Sequence, residues 1–377
     1  MTSTICPILQ FGTSRFLQAH VDLFVCEAAR RAPGDALGKI AVVQTTASTQ
    51  SRARIDAIRS TGRYPVRIRG LHRKVPVDLS IECDSIAQAF HADDDWKTLL
   101  QSIQHDVKVI VSNTADSGYA LFPEDRAANL TAETAPRGFA AKLAVLLHAR
   151  YRAGGDAITI LPCELVSRNG DVLRDLVISV ARDWQADAGF LDYLKQGCIW
   201  VNSLVDRIVS EAIEPVGAVA EPYALWAIER QEGMVLPCRH ESIVLTDNLA
   251  DFERLKLFLL NLGHTMLAQA WLDANGDANS TVLDGMRNDV WRSALESTWN
   301  DEVLPVFDAL GQYEMASDYL NEVRDRFENP FLAHRLADIA NNHREKKQRR
   351  LKPVVDLAAE LGVRVEQKRL RLALASN

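Results

Sequence analysis

A chain of 377 residues, 47% hydrophobic and 25% charged, is long enough for two domains, each with its own core. Its net charge of −7 argues against nucleic acid as the main partner, which would need a basic face, and no apolar run reaches the roughly 18 residues of a membrane span. Six scattered cysteines with no C-x-x-C pair signal neither a zinc centre nor a disulfide framework, so no metal is expected. The amino terminus, MTSTICPILQFG, lacks the basic flank and apolar core of a signal peptide, and a cytoplasmic protein is the expectation.

In chain order, Pro7 to Phe11 is a short apolar strand followed at once by Gly12. A helix-compatible stretch, Arg15 to Arg31, leads to a second strand of buried character, Lys39 to Thr45. Strand, glycine turn, helix, strand is the opening unit of a dinucleotide-binding fold, with the pyrophosphate at the helix amino end. Gly12, Thr13, Ser14, Arg15 and Phe16 are therefore the candidate cofactor turn, although the second glycine of the usual fingerprint is missing. The end of the second strand normally carries an acid for the adenosine ribose. Here it carries Gln44, Thr45 and Thr46, with Ser48, Arg52 and Arg54 beyond, so both NAD and NADP remain open.

Asp106 to Asn113 is another strand of parallel type, ending in Ser112, Asn113, Thr114, Ala115 and Asp116 at the edge where such sheets bind ligands. Ala140 to Arg152 reads as helix, Ala157 to Pro162 as strand running into Cys163 and Glu164, and Asp171 to Ala186 as helix. Cys198 to Leu204 reads as a last strand, followed by Asp206. The alternation predicts an α/β fold: a Rossmann-like doubly wound sheet over residues 1–210, followed by a mainly α-helical domain over 211–377. A cleft between two such domains is where the active site is expected.

The second half is organised around Asp247 to Gly276, which predicts one long helix capped by Asp247 or Asn248 and closed at Gly276. Its middle is apolar on nearly every side, yet it carries Lys256, Asn261 and His264. At about 100° per residue these fall at roughly 0°, 140° and 80°, on one polar arc. A desolvated lysine suits a general base at a carbinol, an amide suits the developing oxygen charge, and an imidazole suits holding that oxygen. The alternative is a lysine reaching for solvent while Asn261 and His264 satisfy each other inside a bundle. Helical periodicity continues through Arg287 to Glu302, Val303 to Gln312, Met315 to Phe327, Phe331 to Gln348 and Lys352 to Leu361. The basic run His343 to Lys352 is either a solvated helix face or a grip on an anionic substrate.

With these residues in place, the chain resembles the mannitol dehydrogenase family of polyol-specific long-chain dehydrogenases, and within it the hexuronate branch of the tagaturonate reductase (altronate oxidoreductase) type. The matching stretches are ILQFGTSRFLQAHVD (8–22), VSNTADSGY (111–119), LPCELVSRNGDVLRDLV (161–177), NSLVDRI (202–208) and NPFLAHRLADIANN (329–342). The family signature K-x4-N-x2-H is met by Lys256, Asn261 and His264. The resemblance implies an NAD- or NADP-dependent, metal-free dehydrogenase acting on a sugar acid or polyol, with the lysine as general acid/base, the asparagine stabilising the substrate oxygen and the histidine orienting it. Departures are Ser14 in place of a turn glycine, Gln18 in place of an arginine, and Cys163-Glu164-Leu165 in the C-E-L form of the uronate branch. Glu164, His334 and Lys346 are expected to bind substrate. Asp206 is expected to orient Lys256 or bind a substrate hydroxyl, or else to be a structural carboxylate beside Arg207. A monomer or homodimer is expected.

Overall fold

Four runs of β-branched and aliphatic residues, buried on both faces, build the centre of the first sheet: β1 (Ile8–Phe11), β2 (Ile40–Gln44), β6 (Val109–Ser112) and β7 (Ile158–Pro162). The computed structural model describes residues 6–376 apart from 47 and 115, and apart from the side chains of residues 50, 116, 117, 126 and 127. Between β2 and β6 the chain forms a long hairpin, β3 (Tyr64–His72) and β4 (Val75–Cys83), then β5 (Ile86–His91). After β7 come β8 (Cys198–Trp200), β9 (Ser203–Asp206), β10 (Val209–Ala212), β11 (Ala218–Ala220), β12 (Leu225–Glu229) and β13 (Ile243–Thr246).

The six-stranded sheet has the order β5-β2-β1-β6-β7-β8, and every pairing in it is parallel. Crossover helices such as Val21–Arg31, Phe139–Arg152 and Asn169–Asp183 cover it. The order reverses between β1 and β6, and ligands of open α/β sheets bind at the carboxyl ends of strands at such a switch point. Two smaller sheets have the orders β10-β11-β3-β4 and β13-β12-β9. The stretch read as one strand, Cys198 to Leu204, is therefore two: β8 closes the large sheet, and β9 pairs antiparallel with β12.

The chain separates into two compact units. The first is Met1–Ile68, Leu79–Ala220 and Ala224–Leu249; the second is Arg69–Asp78, Glu221–Tyr223 and Ala250–Asn377. Strands β11 to β13, expected in the second domain, thus belong with the parallel sheet.

The second unit is helical around a core that includes Leu259, Leu262, Trp299, Phe307, Val323 and Phe327. The tip of the β3–β4 hairpin is part of it. Lys74 donates its backbone amide to Asp325 at 3.1 Å and places its amine 3.2 Å from the same carboxylate. Arg326 meets Glu221 at 2.9 Å, both nearly fully buried, and its guanidinium lies over the Tyr223 ring. Buried Glu302 accepts the amides of Arg369 and Leu370 at 2.9 and 3.0 Å, and so anchors the last helix, Lys368–Ala375. Phe331 to Gln348, read as one helix, is Leu336–Ile339 and His343–Arg350, separated by Asn342 at a left-handed φ of 55°. Among the described residues no helix is long and apolar enough to cross a membrane.

Candidate active site

In the first unit the candidate cofactor residues converge at the carboxyl ends of β1, β2 and β6. Gly12 has φ +110°, and a Cβ there would sit 2.5 Å from the Asn113 carbonyl oxygen, so only glycine lets these two strand ends approach. Ser14 caps the short helix Arg15–Gln18, its hydroxyl accepting the Leu17 amide at 3.4 Å. The first amides of a helix have no partner within it, which suits a pyrophosphate. The Thr13 hydroxyl donates to the Gln44 side-chain oxygen at 2.6 Å, and the Gln44 amide donates to Thr46 at 2.6 and 3.0 Å. Gln18 and Arg54 both donate to the Thr13 carbonyl, at 3.2 and 2.9 Å. Gln18 therefore braces the turn from behind. Arg15 is exposed, and Phe16 stacks on His20 at 4.9 Å. A glycine, hydroxyls and a helix start at the ends of β1 and β2 together fit a dinucleotide.

Beyond β2 and β6 lies a cavity of about 1000 Å³, with Thr45, Thr46, Asp93, Thr114, Arg137 and Lys142 among its lining residues. Its cations are already engaged: Arg137 pairs with Glu124 at 2.5 Å, and Lys142 donates to the Arg137 carbonyl at 2.7 Å. Arg52, a few residues beyond β2, pairs with Asp94 at 2.6 Å.

Glu164 is 3% exposed, and both its oxygens are occupied. It accepts from the Thr114 amide and hydroxyl at 2.9 and 3.0 Å and from the Ser112 hydroxyl at 3.0 Å, while the single Tyr119 proton is shared between Glu164 at 3.4 Å and the Asn169 carbonyl at 3.2 Å. Burial raises its pKa, and the Thr114 and Ser112 donors work against that rise. Glu164, expected to bind substrate, thus also ties together Ser112 and Thr114 at the end of β6. Asn113 is held likewise, donating to the Cys163 carbonyl at 2.8 Å. The side chain of Asp116 lies outside the described residues. Asp206 is buried at the end of β9 in the first unit.

In the second unit, the long helix is helical as expected, with one departure. Leu249–Leu255 and Leu262–Asp273 are α-helical, and Lys256–Asn261 between them is a π turn. At its far end Asn275, not Gly276, takes the left-handed φ, at 48°. A π turn accommodates one extra residue, so the helix beyond it is rotated back by about 100° relative to a continuous α-helix. Asn261 and His264 then fall at about 40° and −20° from Lys256, and the arc narrows from roughly 140° to roughly 60°. Lys256 and Asn261 bound the wide turn itself.

The wide turn has local support. The indole Nε1 of fully buried Trp299 donates to the Leu259 carbonyl at 3.1 Å. Gly263 permits this approach, since a Cβ there would overlap Trp299 Cζ2 and lie 3.1 Å from Phe327 Cζ. His264 is 7% exposed, its ring 4.4 Å from Phe327 and 4.8 Å from His334. Lys256 and Asn261 are half-buried rather than enclosed. The Asn261 carbonyl accepts from the Thr265 hydroxyl at 2.9 Å. Lys346, on the helix His343–Arg350, donates to the Ile339 carbonyl at 2.7 Å. The structure thus groups Lys256, Asn261, His264, His334 and Lys346 on one unit, and the dinucleotide residues on the other.

Arg350, which sequence reasoning took only as part of the basic run, donates to the Thr265 hydroxyl at 3.3 Å, one residue from His264. It lies in the basic run, where a four-residue spacing from Lys346 was the available signal.

A parallel sheet in the 3-2-1-4-5-6 order with a glycine turn after its first strand places the first unit in the class of dinucleotide-binding folds. Comparison with known proteins makes this narrower. The Mannitol dehydrogenase Rossmann domain matches residues 7–235, and the Mannitol dehydrogenase C-terminal domain matches residues 248–376. The chain belongs to the mannitol dehydrogenase family. It is 31% identical over 379 residues to an altronate oxidoreductase of Halalkalibacterium halodurans, covering 94% of this chain and 71% of that one. It is 29% identical to that of Bacillus subtilis, covering 94% and 75%. Among solved structures it is similar to a D-sorbitol dehydrogenase in substrate-free form, with TM-score 0.83, 20% identity and coverage of 98% and 79%. It is also similar to Pseudomonas fluorescens mannitol 2-dehydrogenase in ternary complex with NAD and D-mannitol, with TM-score 0.73, 19% identity and coverage of 99% and 78%.

Proposed function

We propose that this protein interconverts a keto sugar acid or ketose with its hydroxy form, in the manner of a tagaturonate reductase, with NAD as the preferred cofactor. The bound nicotinamide supplies or accepts the hydride. The Lys256 amine takes the hydroxyl proton in oxidation and returns it in reduction. The Asn261 amide donates to the substrate oxygen as negative charge grows there, and His264, held between Phe327 and His334, fixes its direction. His334 and Lys346 contact the rest of the substrate. The reading calls for a small soluble substrate in the cytoplasm and for a monomer or homodimer.

The π turn supports this most, because it draws three polar groups flanking the apolar run Leu257-Phe258-Leu259-Leu260 onto one narrow arc. π turns recur at functional sites. NAD is preferred over NADP because the cations near the β2 end are already engaged: Arg52 by Asp94, Arg54 by the Thr13 carbonyl, and Arg137 by Glu124.

The test is Lys256→Ala, assayed by NADH oxidation against D-tagaturonate, D-fructuronate, D-fructose and D-fructose 6-phosphate. General acid/base catalysis supplies about 10²- to 10⁴-fold, so kcat should fall by that much while NADH affinity stays within a few-fold. A fall below about tenfold removes the lysine from the chemistry. NADPH run beside NADH tests the cofactor preference, which is wrong if NADPH gives the higher kcat/KM.

A further inference from the structure

The helix His343–Arg350 carries more positive charge than its own surroundings answer. Arg349 pairs with Glu345 at 3.6 Å, and Lys352, just beyond, pairs with Asp356 at 2.5 Å. Lys347 is buried and donates to Gln269 and to the Ser376 carbonyl at 3.1 and 2.7 Å. Lys346 and Arg350 differ. They are four residues apart and so share a face of the helix. Their bonds go to neutral oxygens, the Ile339 carbonyl and the Thr265 hydroxyl, and among the described residues neither has a carboxylate within ion-pair distance.

This face turns toward the histidines. Thr265, which receives Arg350, comes directly after His264, whose ring meets His334 edge-on at 4.8 Å. The buried Nδ1 of His334 has no hydrogen-bond partner among the described residues. The nearby carboxylate, Asp338, is already bound by Arg335 at 3.0 Å. Burial lowers the pKa of His334, and the charges of Lys346 and Arg350 lower it further; Arg350 adds to the effect of burial on Lys346 as well. These groups repel one another, and an anion between them would relieve the repulsion.

We infer that Lys346 and Arg350 seat the carboxylate end of the substrate beside His264 and His334, with Arg350 the residue that makes the enzyme choose a sugar acid over a neutral ketose. A guanidinium presents paired N–H groups that match a planar carboxylate, and a lysine four residues away adds a second charge. The inference rests on the reading of the Lys256–Asn261–His264 arc as the reacting centre.

The experiment compares the wild-type protein with Arg350→Gln, Arg350→Lys and Lys346→Gln on D-tagaturonate, D-fructuronate, D-fructose and D-fructose 6-phosphate. Losing a hydrogen bond to a charged group predicts a rise of about 10- to 100-fold in KM for the two keto acids in Arg350→Gln. The lysine substitution should recover part of it, and KM for fructose should stay within about twofold. An equal rise for fructose, or no rise for the keto acids, overturns the inference. So does a wild-type preference for the phosphate ester that Arg350→Gln abolishes.

If the wild type turns over none of the four, the proposed reaction falls, and the carboxylate seat is judged by binding alone. D-gluconate should then raise the Tm of the wild type and not of Arg350→Gln, while D-sorbitol raises neither. Equal shifts by gluconate in both proteins overturn the seat. Should Arg350→Gln fail to fold, Lys346→Gln and Arg350→Lys carry the same comparison.

Discussion

Gly263→Ala adds one methyl group behind the polar arc, at its tightest point. The new Cβ would overlap Trp299 Cζ2 and lie 3.1 Å from Phe327 Cζ. Carbon contacts normally sit at about 3.5–4.0 Å, so the indole or the helix must give way by roughly 1 Å. Trp299 has nowhere to go, being fully buried and tied to the Leu259 carbonyl at 3.1 Å. Overpacking costs about 1–3 kcal/mol, and a buried indole N–H deprived of its acceptor costs about 1–3 kcal/mol more. The variant should therefore lose about 2–6 kcal/mol of stability. The same wedge moves Phe327, on which the His264 ring rests at 4.4 Å. Displacing a reacting group by about 1 Å costs on the order of a hundredfold in rate. Thermal unfolding by circular dichroism and kcat from NADH oxidation read the two effects separately. A Tm within a degree of the parent, with kcat within about twofold, would refute the claim that Trp299 and Phe327 shape the arc.

Glu164→Ala removes the acceptor of three donors at the cofactor edge, the Ser112 hydroxyl and the Thr114 amide and hydroxyl. It should raise KM for NADH by about tenfold or more and leave KM for the sugar nearly unchanged; the reverse pattern would mark Glu164 as a substrate ligand. Asp22 offers a pH test. Burial pushes its carboxyl from 3.8 up to about 7, against the Tyr64 hydroxyl at 3.0 Å. The folded protein thus keeps a proton that the unfolded chain has released, and this group's contribution declines as pH rises from about 4 to about 7. His20 works the other way, since burial drops it from 6.5 to about 3 and its contribution is lost as pH falls below 6.5. Asp22→Asn removes the first slope and leaves the second. Relative to the parent, the variant should gain about 2–3 kcal/mol between about pH 4.5 and about pH 6.5 in urea melts, and parallel curves would contradict the shift at Asp22.

The parallel sheet was legible because its strands are short runs of Ile, Val and Leu buried on both faces, as in Ile8–Phe11 and Ile158–Pro162. The β3–β4 hairpin was not. Its exposed strand Val75–Cys83 carries Asp78, Ser80 and Glu82, and it pairs through backbone bonds that leave little mark on composition. The Lys-Asn-His spacing was visible, but the π turn was not, since Leu257-Phe258-Leu259-Leu260 suits either winding and the choice is made by Trp299 and Phe327 far along the chain. The hydrogen bonds that Glu164 accepts were hidden for a similar reason: Ser112, Thr114 and Tyr119 lie 45 to 52 residues away. Arg350 was hidden within a basic run whose members look alike until their acceptors are seen.

The way the second unit borrows Arg69–Asp78 and Glu221–Tyr223 bears on how such enzymes recombine. A gene exchange at the seam near 249 would part buried Arg326 from the Glu221 of its own parent, and breaking such a buried pair costs about 3–5 kcal/mol. Asp325 would lose Lys74 in the same stroke. The helical half is therefore inherited without loss only where the recipient supplies a matching amine and carboxylate at these positions, which couples three separate stretches of the gene.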